Sequence, residues 1–277
     1  MALVEAADYI DQALEIPTVE WISLTGGEPF LLPETLLELV SYTASRGFHT
    51  ECVTNCFWAT TKEEAERILK KLVDAGLDAI NISADDFHQR HIPFDRVRNC
   101  YEAAKKLGLK IIIMCAAAKS SRLRVGEVTR LLEDKDIRII GAGSPKDHPV
   151  ALAIETGFIP IGRAMEIPRE EWLVSNGSFE GPCRAILRDV GIAPSGNVLP
   201  CCSAAASTDT AVIGNVKNNK LRRLIEEASH RSLFRTLSAE GPLGLQRLLG
   251  SKRRDNYVNR CHLCYDLLTD PCLGQVL

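Results

Sequence analysis

The sequence predicts an α/β protein in two parts: a partial (β/α)6-type barrel over residues 1–170 and a small cysteine-rich domain, a β-hairpin plus a helix, over 171–277. Three observations predict it. Short apolar runs alternate with helical patterns through roughly the first 150 residues, as the strands and crossover helices of a parallel sheet do. Polar loops that begin TGGEP, TNCFWA and SADDFH follow three of those runs. Six of the ten cysteines crowd the last third of the chain.

The elements follow in order. In LVEAADYIDQAL, residues Leu3, Ala6, Ala7, Ile10, Ala13 and Leu14 recur at helical spacing. Val19 to Leu24 reads as a buried strand, Thr25 to Pro29 as a glycine-rich loop, and Pro33 onward as a helix with Leu36, Leu37, Leu39 and Val40 on one face. FHTECVTN is the next strand, and Ala65, Ile68, Leu69 and Leu72 mark the helix after it. LDAINISAD and LKIIIMCAAA are further strands, separated by a helix from about Asp95 to Leu107. Leucines and valines from Leu123 to Leu132 supply a fourth helix, and the runs IRIIGAG and GFIPIGRAM close the region. In such folds ligands sit beyond the carboxyl ends of the strands. TGGEP, TNCFWA and SADDFH are therefore the candidate binding loops.

Composition narrows the function classes. The chain has 277 residues, 45% hydrophobic and 25% charged, with a net charge of -3, which leaves no electrostatic footprint for nucleic acid or an anionic membrane. The short basic run SKRRDNY reads as a solvated loop. No apolar run reaches the length of a membrane span, and the first residues lack the basic and apolar parts of a signal peptide. A cytoplasmic location is the expectation. Thiols stay reduced there, so clustered cysteines are better read as metal ligands than as disulfides.

The cysteine pattern is specific. Cys183 is followed by twelve residues, Gly196, four residues and Cys201; a CxxC at Cys261 and Cys264 comes sixty residues later. Two such pairs brought together make a four-sulfur site for zinc or an iron–sulfur cluster. GIAPSGNVLPCC reads as a hairpin with Ser195, Gly196 and Asn197 in its turn, delivering Cys201 and Cys202, and IGNVKNNKLRRLIEE then turns into a helix.

The strand–TGGEP–helix unit resembles that of the radical S-adenosylmethionine (SAM) enzymes, and the cysteine frame resembles the SPASM/twitch extension of a peptide- and protein-modifying subgroup. That resemblance implies SAM held by Gly26, Gly27, Glu28 and Pro29, by Thr54 and Asn55, and by Ser83 and Asp85 as ribose ligands. It implies one auxiliary [4Fe–4S] cluster on Cys183, Cys201, Cys261 and Cys264, with Cys202 or Cys272 as lesser candidates. It also implies a peptide or protein substrate, attacked by hydrogen abstraction through a 5′-deoxyadenosyl radical, and a peptide-binding or electron-donor partner protein. No nucleic-acid or membrane partner is expected. Asp85, Asp86, His88 and His91 form a polar loop beside the bound nucleoside in this reading, rather than a metal site.

One part of the family pattern is not in the chain. The family holds its SAM-binding [4Fe–4S] cluster on a CxxxCxxC loop after the first strand, whereas the first cysteine here is Cys52. Cys52 and Cys56 flank strand residues, so they stand about 13 Å apart in an extended chain. They are expected to pack as small apolar residues, as are Cys100 and Cys115. The expectation is therefore a barrel without its first strand, N-terminally truncated and inactive for SAM cleavage, with VEWISLT an unprotected sheet edge. The SAM-binding cluster would belong to a full-length form only, and SAM binding would be weak or lost. The alternative is a non-catalytic pseudoenzyme or binding protein with a structural four-cysteine zinc or iron–sulfur site. The catalytic residues themselves stay unknown.

Overall fold

The computed structural model describes residues 1–140, 151–174, 179–250 and 257–276. The end of the IRIIGAG run and most of the SKRRDNY run lie outside the described residues. The chain forms two compact units, Ala2–Thr156 and Gly157–Leu277.

In the first unit, helix α1 (Leu3–Ala13) precedes strand β1 (Trp21–Leu24), and α2 (Pro33–Ser45) leads to β2 (His49–Thr54). The alternation continues through α3 (Lys62–Asp74), β3 (Leu77–Ser83), the short α4 (Asp86–Gln89), α5 (Phe94–Lys106) and β4 (Lys110–Ala117), then α6 (Val125–Leu132), β5 (Ile137–Ile139) and β6 (Ala151–Gly157). Among the described residues, six strands make one sheet in the order β1-β2-β3-β4-β6-β5. The pairs β1·β2, β2·β3, β3·β4 and β5·β6 are all parallel. In a flat sheet β1 and β4 would stand about 14 Å apart. The Nζ of Lys110, at the start of β4, nevertheless lies 4.8 Å from the centre of the Trp21 ring at the start of β1, across a curled face.

Local sequence explains the elements. Thr61 caps α3 by accepting from the Glu64 amide at 3.1 Å, with Glu63 and Glu64 in the first turn where the helix dipole favours anions. Gly76 ends the turn after α3 at φ +109°, with no room for a side chain beside the Ala44 methyl. Every second residue of β4 is buried, from Ile111 to Ala117, the alternation of a strand with one face on a core. Leu36, Val40, Leu69, Ile80, Ile82, Val97 and Ile113 build that core. Cys52, Cys56, Cys100 and Cys115 lie within it, fully buried, as small apolar side chains.

One element differs from the sequence reading. The last core strand of this unit is Ala151–Gly157 rather than GFIPIGRAM, and Gly162–Glu166 forms a 3-10 turn. ALAIETG lacks a bulky apolar run, yet Ala151 and Ala153 are fully buried. Pro160 removes an amide that a central strand would need.

The second unit contains an antiparallel three-stranded sheet, β7 (Gly191–Ile192), β8 (Asn197–Leu199) and β9 (Gly214–Asn215), in the order β7-β8-β9. The β7–β8 turn uses Gly196 at φ +89°, where an L side chain is strained. Among the described residues five helices follow: α7 (Leu221–His230), α8 (Ser232–Glu240), α9 (Pro242–Leu249), α10 (Arg260–Leu268) and α11 (Leu273–Val276). Val198, Ile213, Leu224, Phe234, Leu245 and Leu263 are buried in this unit. No helix of the described residues is long and apolar enough to cross a membrane.

Leu69 is wholly buried on the inner face of α3. Leu69→Ala is expected to destabilise the protein by about 3 kcal/mol, from lost burial plus the cavity left behind, read as a lowered urea midpoint at unchanged slope.

Candidate functional site

The carboxyl ends of parallel strands share one edge of a sheet, and the three predicted loops leave β1, β2 and β3 there. Gly26 takes φ +127°, and a side chain at Gly26 or Gly27 would meet no atom within 4 Å. The backbone is thus open to a close approach. Glu28 follows in extended conformation, but its carboxylate is engaged inside the protein. It accepts from the Thr54 hydroxyl at 2.9 Å, the Asn55 amide at 2.8 Å and the Phe30 amide at 3.3 Å. Thr54, 2% exposed, has its hydroxyl saturated: it donates to Glu28 and accepts from the Cys56 amide at 3.0 Å and the Trp58 indole at 2.9 Å. Trp58 in turn stacks on Phe30, with ring centres 4.3 Å apart.

This arrangement sorts the predicted residues. Glu28 and Thr54 bind the first two loops to each other. The Asn55 side-chain oxygen accepts from the Phe57 amide at 3.0 Å, and its Nδ2 makes no hydrogen bond to a described residue. The Ser83 hydroxyl, at the end of β3, is equally uncommitted among the described residues. Pro29 opens a 3-10 turn over Pro29–Leu31. The backbone at Gly26 and Gly27, Asn55 Nδ2 and Ser83 Oγ therefore fit a polar ligand. Sequence reasoning missed Trp58 and Phe30, although one aromatic in each of two adjacent loops was a usable signal.

Asp85 is nearly inaccessible and caps α4, accepting from the Phe87 and His88 amides at 3.0 Å and from the His88 ring nitrogen Nδ1 at 2.9 Å. Its other oxygen accepts from the Ala116 amide at 3.3 Å. Burial pushes its pKa up, but the hydrogen bond and charge of His88 and the backbone amides outweigh it, and the net shift is downward. The bond to Asp85 raises the His88 pKa, against burial. Asp86 accepts from the Arg122 and Leu123 amides at 2.6 and 3.2 Å. Between these loops lies an open cleft of about 390 Å³, lined by Phe87, Arg90, Ser120 and Arg122 among others.

Among the described residues, this edge offers no cysteine for a metal. Cys52 and Cys56 are 0% exposed. Burial pushes the Cys52 thiol up to about 12 and raises that of Cys56, which also hydrogen-bonds Cys100. The residues at this edge therefore do not fit a SAM-binding cluster.

In the second unit the β7–β8 hairpin runs into Cys201, and the Leu187 amide donates to the Pro200 carbonyl at 2.7 Å, holding the segment after Cys183 against it. Cys261 and Cys264 occupy the first turns of α10, which is capped by Asn259, whose side chain accepts from the His262 amide at 3.0 Å. Burial is the main cause that pushes the Cys201 thiol up to about 11, with Cys202, Cys183 and Cys261 adding through their charge. Burial likewise raises Cys264, and Cys261, Cys201 and Cys183 add to it while Arg260 opposes. The four predicted ligands are thus within electrostatic reach of one another. Among the described residues, no three His, Cys, Asp or Glu side chains are gathered as a site for a single metal ion. Four thiols are the donor set that an iron–sulfur cluster takes, one thiolate to each iron. Cys202 and Cys272 are exposed. His262, inside the CxxC, is packed edge-on between Trp172 and Tyr257 at 5.2 and 5.1 Å.

Comparison with known proteins defines the class. Residues 1–117 match the radical SAM superfamily, and residues 183–265 match SPASM, an iron–sulfur cluster-binding domain. Over those two segments the chain is similar to a radical SAM superfamily protein followed by a SPASM domain. A relative, YydG of Bacillus subtilis (strain 168), provisionally designated a peptide biosynthesis protein, is 24% identical over 229 residues, which are 81% of this chain and 67% of that protein. A crystal structure of selenomethionine BtrN in an open conformation is 14% identical, with a TM-score of 0.48, over 94% of this chain and 79% of that one.

Two outcomes follow from this geometry. Thr54→Val leaves the Glu28 carboxylate, the Cys56 amide and the Trp58 indole each short of a partner, and is expected to cost about 2–3 kcal/mol in chemical denaturation. The Asp85–His88 pair has a pH window. The depressed Asp85 contributes fully above its unfolded value of 3.8 and loses that as pH falls through its lower folded value; the raised His88 contributes fully below 6.5 and loses that as pH rises through its higher folded value. The stability difference between wild type and His88→Ala is therefore expected to peak between pH 3.8 and 6.5, at about 1 kcal/mol because the His88 ring is partly solvated.

Proposed function

We propose that the protein is of the kind built for radical modification of a peptide or protein substrate, inactive for SAM cleavage as these 277 residues stand, with an auxiliary [4Fe–4S] cluster on Cys183, Cys201, Cys261 and Cys264. The observation that carries the proposal is that Cys183, Cys201, Cys261 and Cys264 all lie in residues 183–265, the segment that matches the SPASM iron–sulfur cluster-binding domain. The provisional designation of YydG supports a peptide as substrate. The proposal counts one cluster, on these four cysteines. Zinc is the rival occupant of four cysteines; the family match favours iron and sulfide.

At the carboxyl edge of the first unit, SAM would be held by the Gly26 and Gly27 backbone, Asn55 and Ser83. When bound with a reducing cluster, SAM supplies a carbon-centred radical able to abstract hydrogen from an inert carbon. The chain's own part is positional. Glu28 and Thr54 fix the first two loops relative to each other, Asp85 fixes the third, and the Phe30–Trp58 stack covers the core beneath them.

A second reading rests on the buried thiols of Cys52 and Cys56: a binding protein whose cysteine site is structural. Two experiments separate these readings. After anaerobic reconstitution with iron and sulfide, the protein is expected to hold about four irons per chain and to absorb in the visible range. One tightly held zinc and no iron would overturn the cluster. Incubated with dithionite and SAM, the polypeptide of these 277 residues is expected to release no 5′-deoxyadenosine, because among the described residues the thiols at the glycine-loop edge, Cys52 and Cys56, are buried. Release of that product would show that other cysteines supply an open iron.

A further inference from the structure

Arg260 immediately precedes the CxxC on α10, and its guanidinium reaches back across 79 residues to the segment that carries Cys183. Its Nη2 donates to the Gly181 carbonyl and, at 3.2 Å, to the Pro182 carbonyl. These are the last two carbonyls before Cys183. The Cys183 amide itself donates to the Leu237 carbonyl near the end of α8, at 2.9 Å. Residues 181–183 are therefore held from two sides, by α8 through the backbone and by α10 through one arginine side chain.

The packing is close enough to dictate a glycine. Gly241, between α8 and α9, has φ +68°, and a methyl group there would run into both the Gly181 carbonyl oxygen and the Arg260 guanidinium. Charge adds to the geometry. An arginine stays protonated at any working pH, and a cluster with four thiolates is an anion. The same side chain that fixes the backbone thus carries a permanent positive charge at the residue next to Cys261.

We propose that Arg260 is a positioning residue for the auxiliary cluster, holding the Cys183 segment in register with Cys261 and Cys264. This inference rests on the reading of those cysteines as cluster ligands. Its own content is that the cysteines alone do not suffice and that a side chain outside the ligand set aligns two segments far apart in sequence. Lysine keeps the charge but lacks the planar fork of donors. Alanine removes both.

The test compares wild type, Arg260→Ala and Arg260→Lys after anaerobic reconstitution, by iron and sulfide per chain and by the electron paramagnetic resonance spectrum of the dithionite-reduced protein. Near-ultraviolet circular dichroism and thermal melting of the metal-free forms report folding. With the metal-free fold retained, Arg260→Ala is expected to hold less than half the wild-type iron. Arg260→Lys is expected to hold an intermediate amount, with a displaced spectrum. Wild-type iron content and an unchanged spectrum in Arg260→Ala would overturn the proposal. Should Arg260→Ala fail to fold, Arg260→Lys decides: lower iron with a displaced spectrum supports the fork, and identity with wild type in both measures overturns it. A wild type that takes up no iron would instead overturn the cluster reading on which the proposal rests.

Discussion

The carboxylate of Glu28 is the point on which the glycine-loop edge depends. It lies in the loop after β1 but spends its hydrogen bonds on Thr54, Asn55 and Phe30. A carboxylate can accept about four hydrogen bonds, and three donors converge on this one. The acid therefore works as a joint between two strand ends. Thr54 extends the joint to Trp58 and the Cys56 amide, and Cys56 takes φ +66°, a left-handed conformation uncommon outside glycine. A cyclic set of donors and acceptors holds that turn in place.

The consequence is a division of labour among polar groups of the same loops. Groups that are engaged internally, Glu28, Thr54 and Asp85, set the loop geometry. Groups left uncommitted among the described residues, the Gly26–Gly27 backbone, Asn55 Nδ2 and Ser83 Oγ, stay available to a ligand. Pre-organisation of this kind lets a ligand bind without the loops having to order at the same time. The second unit repeats the logic with different chemistry: Arg260 and Leu237 fix the backbone before Cys183, while the thiols themselves remain free of disulfides.

Much of the fold was legible because periodicity and burial agree. The alternation in LKIIIMCAAA and the spacing of Ala65, Leu69 and Leu72 each describe a surface that must be covered, and β4 and α3 cover them. The strand Ala151–Gly157 was not legible, because small alanines fill its core positions and carry little apolar signal. At the site, the loops could be found from strand ends and glycines. The roles within them could not. Whether Glu28 meets a ligand or Thr54 depends on a partner 26 residues away, and no local pattern encodes that distance. Arg260 was missed for the same reason, since its partners lie 78 and 79 residues earlier.

The central claim is that Cys183, Cys201, Cys261 and Cys264 together hold one four-iron cluster. Native mass spectrometry of the anaerobically purified protein tests it most directly, beside a variant with Cys261 and Cys264 both changed to alanine. The account predicts a wild-type mass increment of four irons and four sulfides that is absent from the double variant. An increment of a single zinc, or a four-iron increment that survives in the double variant, would contradict it.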